Sequence, residues 1–229
     1  MIRMGVIGYG YWGPNIVRNF NSLEGSRVVA VADINEASLK KAKKAYPHLR
    51  VTTQCEEVIN SPDVDVVAIV TPVFTHFELA RKALQQGKHI LVEKPFTYTA
   101  AQAEELIELA EKKKLKIMVD HTFLYTGAVR KIKQLIDDGT LGDLCYFDSM
   151  RINLGLFQHD VNVVWDLAPH DLSIMDYVLP QRPTHVSAHG ACHMAGSDKE
   201  NMAYLTLRFA NETLAHFHVN WLSPAKIRR

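Results

Sequence analysis

The chain has 229 residues, 47% hydrophobic and 22% charged, with a formal net charge of +1. This composition suits a globular protein of one large or two modest domains. There is no basic stripe to suggest nucleic acid, and no apolar run reaches the roughly 20 residues needed to cross a bilayer. The opening MIRMGVIGYG enters a strand pattern with no signal-peptide features, and Cys55, Cys145 and Cys192 are odd in number and widely spaced. Reduced thiols in a cytoplasmic protein are the expectation.

Along the first 120 residues, short β-branched runs alternate with helical patterns. IRMGVIG reads as a strand, then GPNIVRNFN as a helix with Pro14 in its first turn. SRVVAVAD is a strand and NEASLKKAKKAY a helix. DVDVVAIVTP is a buried strand, followed by the helix THFELARKALQQG, closed by Gly87. KHILVEKP is a strand. TAAQAEELIELAEKKK is a helix with a capping box at Thr99 and Gln102, and LKIMVD is a further strand. Such alternation implies βαβ units and a parallel sheet covered on both faces, a doubly wound Rossmann domain over residues 1–121.

Past Asp120 the pattern changes. A helix is expected over Ala128–Asp138, ended by Gly139, then a strand near Leu144–Asn153, a loop, and a helix carrying WDLAPHDL. Three strands follow, THVSAHGACHM, NMAYLTLRFA and ETLAHFHVNW, the last two joined by a hairpin turn at Asn211. Residues 122–229 therefore read as an α/β domain with a largely antiparallel open sheet.

GVIGYGYWG places Gly8, Gly10 and Gly13 as G-x-G-x-x-G, after a strand and at the start of a helix, with Asp33 ending the next strand. In that context the motif is a dinucleotide fingerprint. Gly8 permits a tight turn, Gly10 lets the backbone approach a pyrophosphate, Gly13 allows close helix–strand packing, and the helix N-terminus faces the phosphates. Tyr11 and Trp12 lie within this loop. Asp33 accepts hydrogen bonds from the adenosine ribose and repels a 2′-phosphate, and neither Ile34 nor Asn35 offers a cation, so NAD is expected over NADP. TPVFTHFELA and VEKPF end the next two strands, which makes Thr71, Pro72, His76, Glu93 and Lys94 candidates for the nicotinamide side. For His76, ligand contact and a bond to backbone are both open. Arg151 and Asn153 share one face of their strand, as candidates to hold a carboxylate or diphosphate or as members of an exposed face. Asp166 and His170 are four residues apart, on one face of a helix.

With GYGYWG, VTPVFTH, VEKP and WDLAPHDL together, spanning residues 5–172, the chain resembles the Gfo/Idh/MocA oxidoreductases. The wording GYWGPNIVRNF with WDLAPHDLSIMDYVL is most similar to nucleotide-sugar members that oxidise C3 of UDP-N-acetylglucosaminuronic acid. The resemblance implies a Rossmann domain followed by an α/β domain with a large open sheet, and NAD(P)-dependent oxidation or reduction of a sugar or cyclitol carbon. It implies Lys94 and His170 as catalytic groups that also contact the substrate. Ala168 replaces the glycine usual in D-x-G-x-H. Family chains continue beyond the point of Arg229, so the second domain is expected to be incomplete.

Oxidation of a sugar hydroxyl needs hydride transfer, proton removal and neutralisation of alkoxide charge. An ordinary histidine, near pKa 6.5, accepts a proton at pH 7, whereas an ordinary lysine must shift by about three units, roughly 4 kcal/mol, to do so. His170 is therefore the expected base, with Lys94 on the developing alkoxide and Asp166 orienting His170 or bonding the sugar; the reversed assignment of Lys94 and His170 stays open. Asp166 also fits a helix-start charge. His185, His189 and His193, and likewise His216 and His218, share strand parity, which marks the polar side of a sheet; no metal is expected. The last strand is expected to leave an exposed edge or apolar face, inviting a homo-oligomer through the C-terminal sheet. The alternative to an enzyme is a non-catalytic NAD- or sugar-sensing binding protein of the same fold.

Overall fold

A computed structural model of the protein describes residues 1–155, 157–158, 160–179 and 181–229. The chain divides into two compact units, Met1–Asp120 and His121–Arg229.

The first unit runs β1 (Ile2–Ile7), α1 (Gly13–Ser22), β2 (Ser26–Ala32), α2 (Glu36–Ala45), β3 (Arg50–Thr52), α3 (Cys55–Ile59), β4 (Val66–Ile69), α4 (Val73–Gln85), β5 (His89–Val92), α5 (Ala100–Lys113) and β6 (Ile117–Val119). Its six strands are parallel in the order β3-β2-β1-β4-β5-β6. The order reverses between β1 and β4, the place where such sheets open a ligand crevice at their carboxyl ends. Strand parity divides the core between the two faces. Ile7, Val67, Ile69, Ile90 and Val92 pack with Ala80, Leu84 and Leu106 of α4 and α5. Met4, Val6, Ala68 and Leu91 pack instead with Ile16, Val17, Leu39 and Ala42 of α1 and α2. At the start of α5, Thr99 Oγ1 accepts from the Gln102 N–H (3.3 Å), and the Gln102 amide oxygen accepts from the Tyr98 N–H (3.1 Å). Two elements have no counterpart in the sequence pattern. β3 has three residues at a sheet edge, and α3 has five. Both are too short to show a periodicity.

The second unit opens with a 3-10 turn (Thr122–Tyr125), followed by α6 (Gly127–Asp137), β7 (Tyr146–Ile152), α7 (Val163–Val178), β8 (His185–Ala191), β9 (Met202–Arg208), β10 (Leu214–Asn220) and β11 (Ile227–Arg228). The sheet order is β11-β7-β10-β9-β8. Pairing is antiparallel except between β7 and β10. This corrects the expectation of an exposed last strand. β10 is interior, bonded to β7 on one side and β9 on the other, and its inward residues Ala215, Phe217 and Val219 are fully buried against α7. The long edge is β8, exposed on both faces as far as Gly190. It ends at Ala191, so Cys192, His193 and Met194 lie beyond the strand that the sequence pattern extends through them. On the outward face, Tyr204 stacks on His218 (ring centroids 4.3 Å apart) and on His216 (5.8 Å).

Candidate functional site

The glycine loop of the first unit is built by two kinds of constraint. Gly8 has φ +99°, and a Cβ there would lie 2.3 Å from the Val70 carbonyl oxygen; a Cβ on Gly13 would lie 2.4 Å from the carbonyl oxygen of Gly8. The protein itself requires both glycines. Gly10 is different, because a methyl group added to it would have no neighbouring atom within 4 Å. Its open backbone suits the approach of a group from outside, as a pyrophosphate requires.

Asp33 follows β2. Its carboxylate accepts from the Tyr9 N–H (2.5 Å) and the Asn35 N–H (2.7 Å), so the glycine loop and the start of α2 fix its position. Each oxygen keeps a lone pair for a further donor. Gly8, Gly10, Asp33, Ile34, Thr71 and Pro72 line a cavity of about 640 Å³ together with Thr53, Phe74 and Glu78. Anchored carboxylate, open glycine and apolar walls fit the adenosine and pyrophosphate half of a dinucleotide. Ile34 is almost wholly exposed on the rim, and Tyr11 is exposed beside Trp12. The Trp12 indole N–H donates to Asp120 Oδ2 (3.3 Å).

The loops after β4 and β5 are joined through His76. Its Nδ1 lies 2.9 Å from the Pro95 carbonyl oxygen and its Nε2 2.7 Å from that of Thr71. The ring is fully buried. Of the two readings the sequence left open, the structure gives His76 the backbone one: it pins two loops and offers no surface to a ligand. Thr71 Oγ1 is bonded to Thr75 Oγ1 (2.6 Å). The Lys94 N–H donates to Glu93 Oε2 (3.2 Å). Burial, and then the neighbouring Asp120 carboxyl, push the Glu93 carboxyl up to about 8, so it is mostly protonated at pH 7. Glu93 and Asp120 each follow their strand by one residue, and β5 and β6 pair in register at Val92 and Val119.

In the second unit, α7 is capped by Asn162, whose side chain accepts from the Trp165 N–H (3.1 Å). Asp166 lies in the first turn, and its Oδ2 accepts from the Trp221 indole N–H (3.1 Å). His170 meets the Phe123 ring edge to face, with centroids 4.8 Å apart. Pro169 removes one N–H from the middle of this helix.

Of the two sequence readings for Arg151, the exposed face is corrected: the side chain is buried. Its Nε and Nη2 donate to Asp171 Oδ1 (3.0 and 2.6 Å), and both side chains are buried, at 6% and 5% exposure. Its guanidinium lies 4.3 Å from the Phe123 centroid. Asn153 is partly buried, and its backbone N–H donates to the Asn220 carbonyl (3.0 Å). Sequence reasoning missed Asp171, although a signal was present. Ala168, Asp171, Met175 and Val178 form the buried stripe of α7, and a carboxylate inside such a stripe calls for a buried cation.

The fold and the glycine loop define a dinucleotide-binding Rossmann unit. Residues 2–121 match the oxidoreductase family with an NAD-binding Rossmann fold, and residues 129–229 match the GFO/IDH/MocA C-terminal domain. The chain belongs to the Gfo/Idh/MocA family. It is 34% identical to the oxidoreductase YdgJ of Escherichia coli K12 over 78% of its own length, spanning 54% of that protein. It is 30% identical to the UDP-N-acetylglucosamine 3-dehydrogenase of Acidithiobacillus ferrooxidans over its full length and 70% of the relative. The structure of that dehydrogenase superposes with a TM-score of 0.87 at 28% identity, over 100% of this chain and 72% of the other. GenD2 from gentamicin A biosynthesis shares the fold, with a TM-score of 0.93 at 20% identity over 98% of this chain and 67% of its own.

Proposed function

We propose that the protein is an NAD-dependent dehydrogenase acting on a hydroxyl carbon of a sugar or nucleotide sugar. The observation that carries this reading is the Gly10–Asp33 cradle in a chain of this family: an open glycine beside a carboxylate already fixed by two backbone donors. NAD, when bound, supplies the hydride acceptor. His170 takes the hydroxyl proton, Lys94 holds the oxygen and stabilises its developing negative charge, and Asp166 positions the helix turn that carries His170. The similarity to a UDP-N-acetylglucosamine 3-dehydrogenase supports the nucleotide-sugar class. Asp33 favours NAD over NADP, and copies associate through the outward face of the second sheet.

The test is turnover of a sugar and nucleotide-sugar panel with each cofactor. NAD is expected to bind at least tenfold more tightly than NADP, about 1.4 kcal/mol; equal or tighter NADP binding refutes the preference. His170→Ala is expected to lower turnover at least about a hundredfold with NAD affinity nearly unchanged. Lys94→Met is expected to lower turnover and weaken substrate binding, and the two losses should not add, because both groups act on one O–H. NAD binding without turnover of any sugar would instead favour a sensing protein. Light scattering should show a dimer or larger species, and a monomer at high concentration would count against association through the sheet.

A further inference from the structure

Charge does not balance around Phe123. Arg151 and Arg228 face each other across the β7–β11 pair, so their side chains emerge on the same side of the sheet. Both guanidiniums sit over the Phe123 ring, at 4.3 and 5.4 Å from its centroid. Asp171 is the carboxylate bound to Arg151, and a single Arg–Asp pair is neutral. Among the described residues no carboxylate forms an ion pair with Arg228, and its guanidinium has no hydrogen-bond acceptor. Partial burial, and then the Arg151 cation, push its pKa down, and the Asp171 carboxylate, already bonded to Arg151, opposes this more weakly.

A second arginine directly opposite the first is unfavourable unless something compensates it. The ring that Arg228 covers is the one that His170 meets at 4.8 Å. Stacking on an aromatic face fixes the guanidinium plane while leaving its edge N–H donors free for a bidentate acceptor. Arg228 is on the exposed side of this cluster and Arg151 on the buried side.

We infer that Arg228 is a substrate-binding residue that receives an oxyanion, a carboxylate or phosphate of the sugar substrate, beside His170, while Asp171 retains Arg151 as the support beneath it. The substrate is then an acidic sugar or a sugar carried on a diphosphate. This rests on the dehydrogenase reading for the identity of the ligand as a sugar. The sequence offered no sign of it, because Arg228 lies far along the chain from His170 and in no motif.

The test uses the purified chain with NAD and four ligands: N-acetylglucosamine, its C6 acid, and the UDP derivatives of both. Affinity is measured by calorimetry, and turnover by NADH formation, for the unaltered protein, Arg228→Gln and Arg228→Lys. The preference for each anionic ligand over its less charged counterpart is expected to fall at least tenfold in Arg228→Gln, about 1.4 kcal/mol, and to recover in part in Arg228→Lys. A fall in the acid-to-neutral ratio with the free sugars assigns the anion to a carboxylate. A fall confined to UDP derivatives against free sugars assigns it to the diphosphate. Unchanged ratios in Arg228→Gln, or no binding of any anionic ligand by the unaltered protein, overturn the inference. Turnover with no dependence on Arg228 leaves the dehydrogenase reading standing and removes this site. Binding of anions that depends on Arg228, without turnover of any sugar, does the reverse. Arg228→Lys keeps the charge, so a loss common to all four ligands in both variants reports packing and also overturns the assignment.

Discussion

Asp33 and Arg151 present a direct contrast between the two units. Each is a charged residue at or near the end of a strand, and each has the chemistry to hold a ligand. Asp33 is fixed by N–H groups of the loop and helix that its own βαβ unit supplies, and it keeps acceptor capacity. Arg151 is fixed by a carboxylate twenty residues away on α7, which uses its best donors inside the protein. In the first unit, function is written in residues close along the chain. In the second, it depends on which distant residues the sheet and helix bring together.

The strongest test of this contrast is to remove one half of the buried pair. Arg151→Met leaves Asp171 buried without its cation and should cost about 3–5 kcal/mol, whereas Arg151→Met with Asp171→Leu should regain most of that. Denaturant unfolding reads both. If the single variant is as stable as the parent, Arg151 is not the structural member described above.

The glycines of the first unit provide the next test. Gly8→Ala forces a side chain into a positive φ and against the Val70 carbonyl, and should cost about 3 kcal/mol. Gly10→Ala meets no protein atom, so stability should stay within about 0.5 kcal/mol, while NAD affinity falls at least tenfold, about 1.4 kcal/mol. Equal thermal shifts for the two variants would contradict the division between a glycine the fold needs and one the cofactor needs.

Glu93 links the strand ends to pH. Its folded-state pKa of about 8 is above the ordinary 4.5. The folded protein therefore holds a proton that the unfolded chain has released between those values. Stability from this group is complete below about pH 4.5 and is lost as pH rises through about 8. A shift of that size corresponds to a loss of up to about 5 kcal/mol across that window. Glu93→Gln should abolish this slope, and unfolding curves at several pH values in the window would show it. A variant that keeps the full slope would place its origin elsewhere.

The smallest effect is local. Thr99→Ala removes the acceptor for the Gln102 N–H at the start of α5 and should cost about 1 kcal/mol. A cost well above that would mean Thr99 also holds something beyond its own helix.

Much of the first unit was legible in the sequence. Its strands are continuous β-branched runs because both sheet faces are covered, α2 and α5 carry side-chain caps at Asn35 and Thr99, and the G-x-G-x-x-G loop and Asp33 are separated by one βαβ step. Only β3 and α3 escaped, being too short to carry a period. In the second unit the helix and strand identities were legible, as was the alternation of His216 and His218 against Phe217 and Val219. The strand order was not. Parity determines which face of β10 is inward, but any neighbour with a matching face satisfies it, so the central place of β10 between β7 and β9 came from tertiary pairing. Tertiary structure also decided the fate of the charges. A sequence shows that Arg151, Asp171 and Arg228 are ionisable. Only the fold determines which of them lose water together, and desolvation makes Arg151 and Asp171 partners while leaving Arg228 to receive an anion from outside.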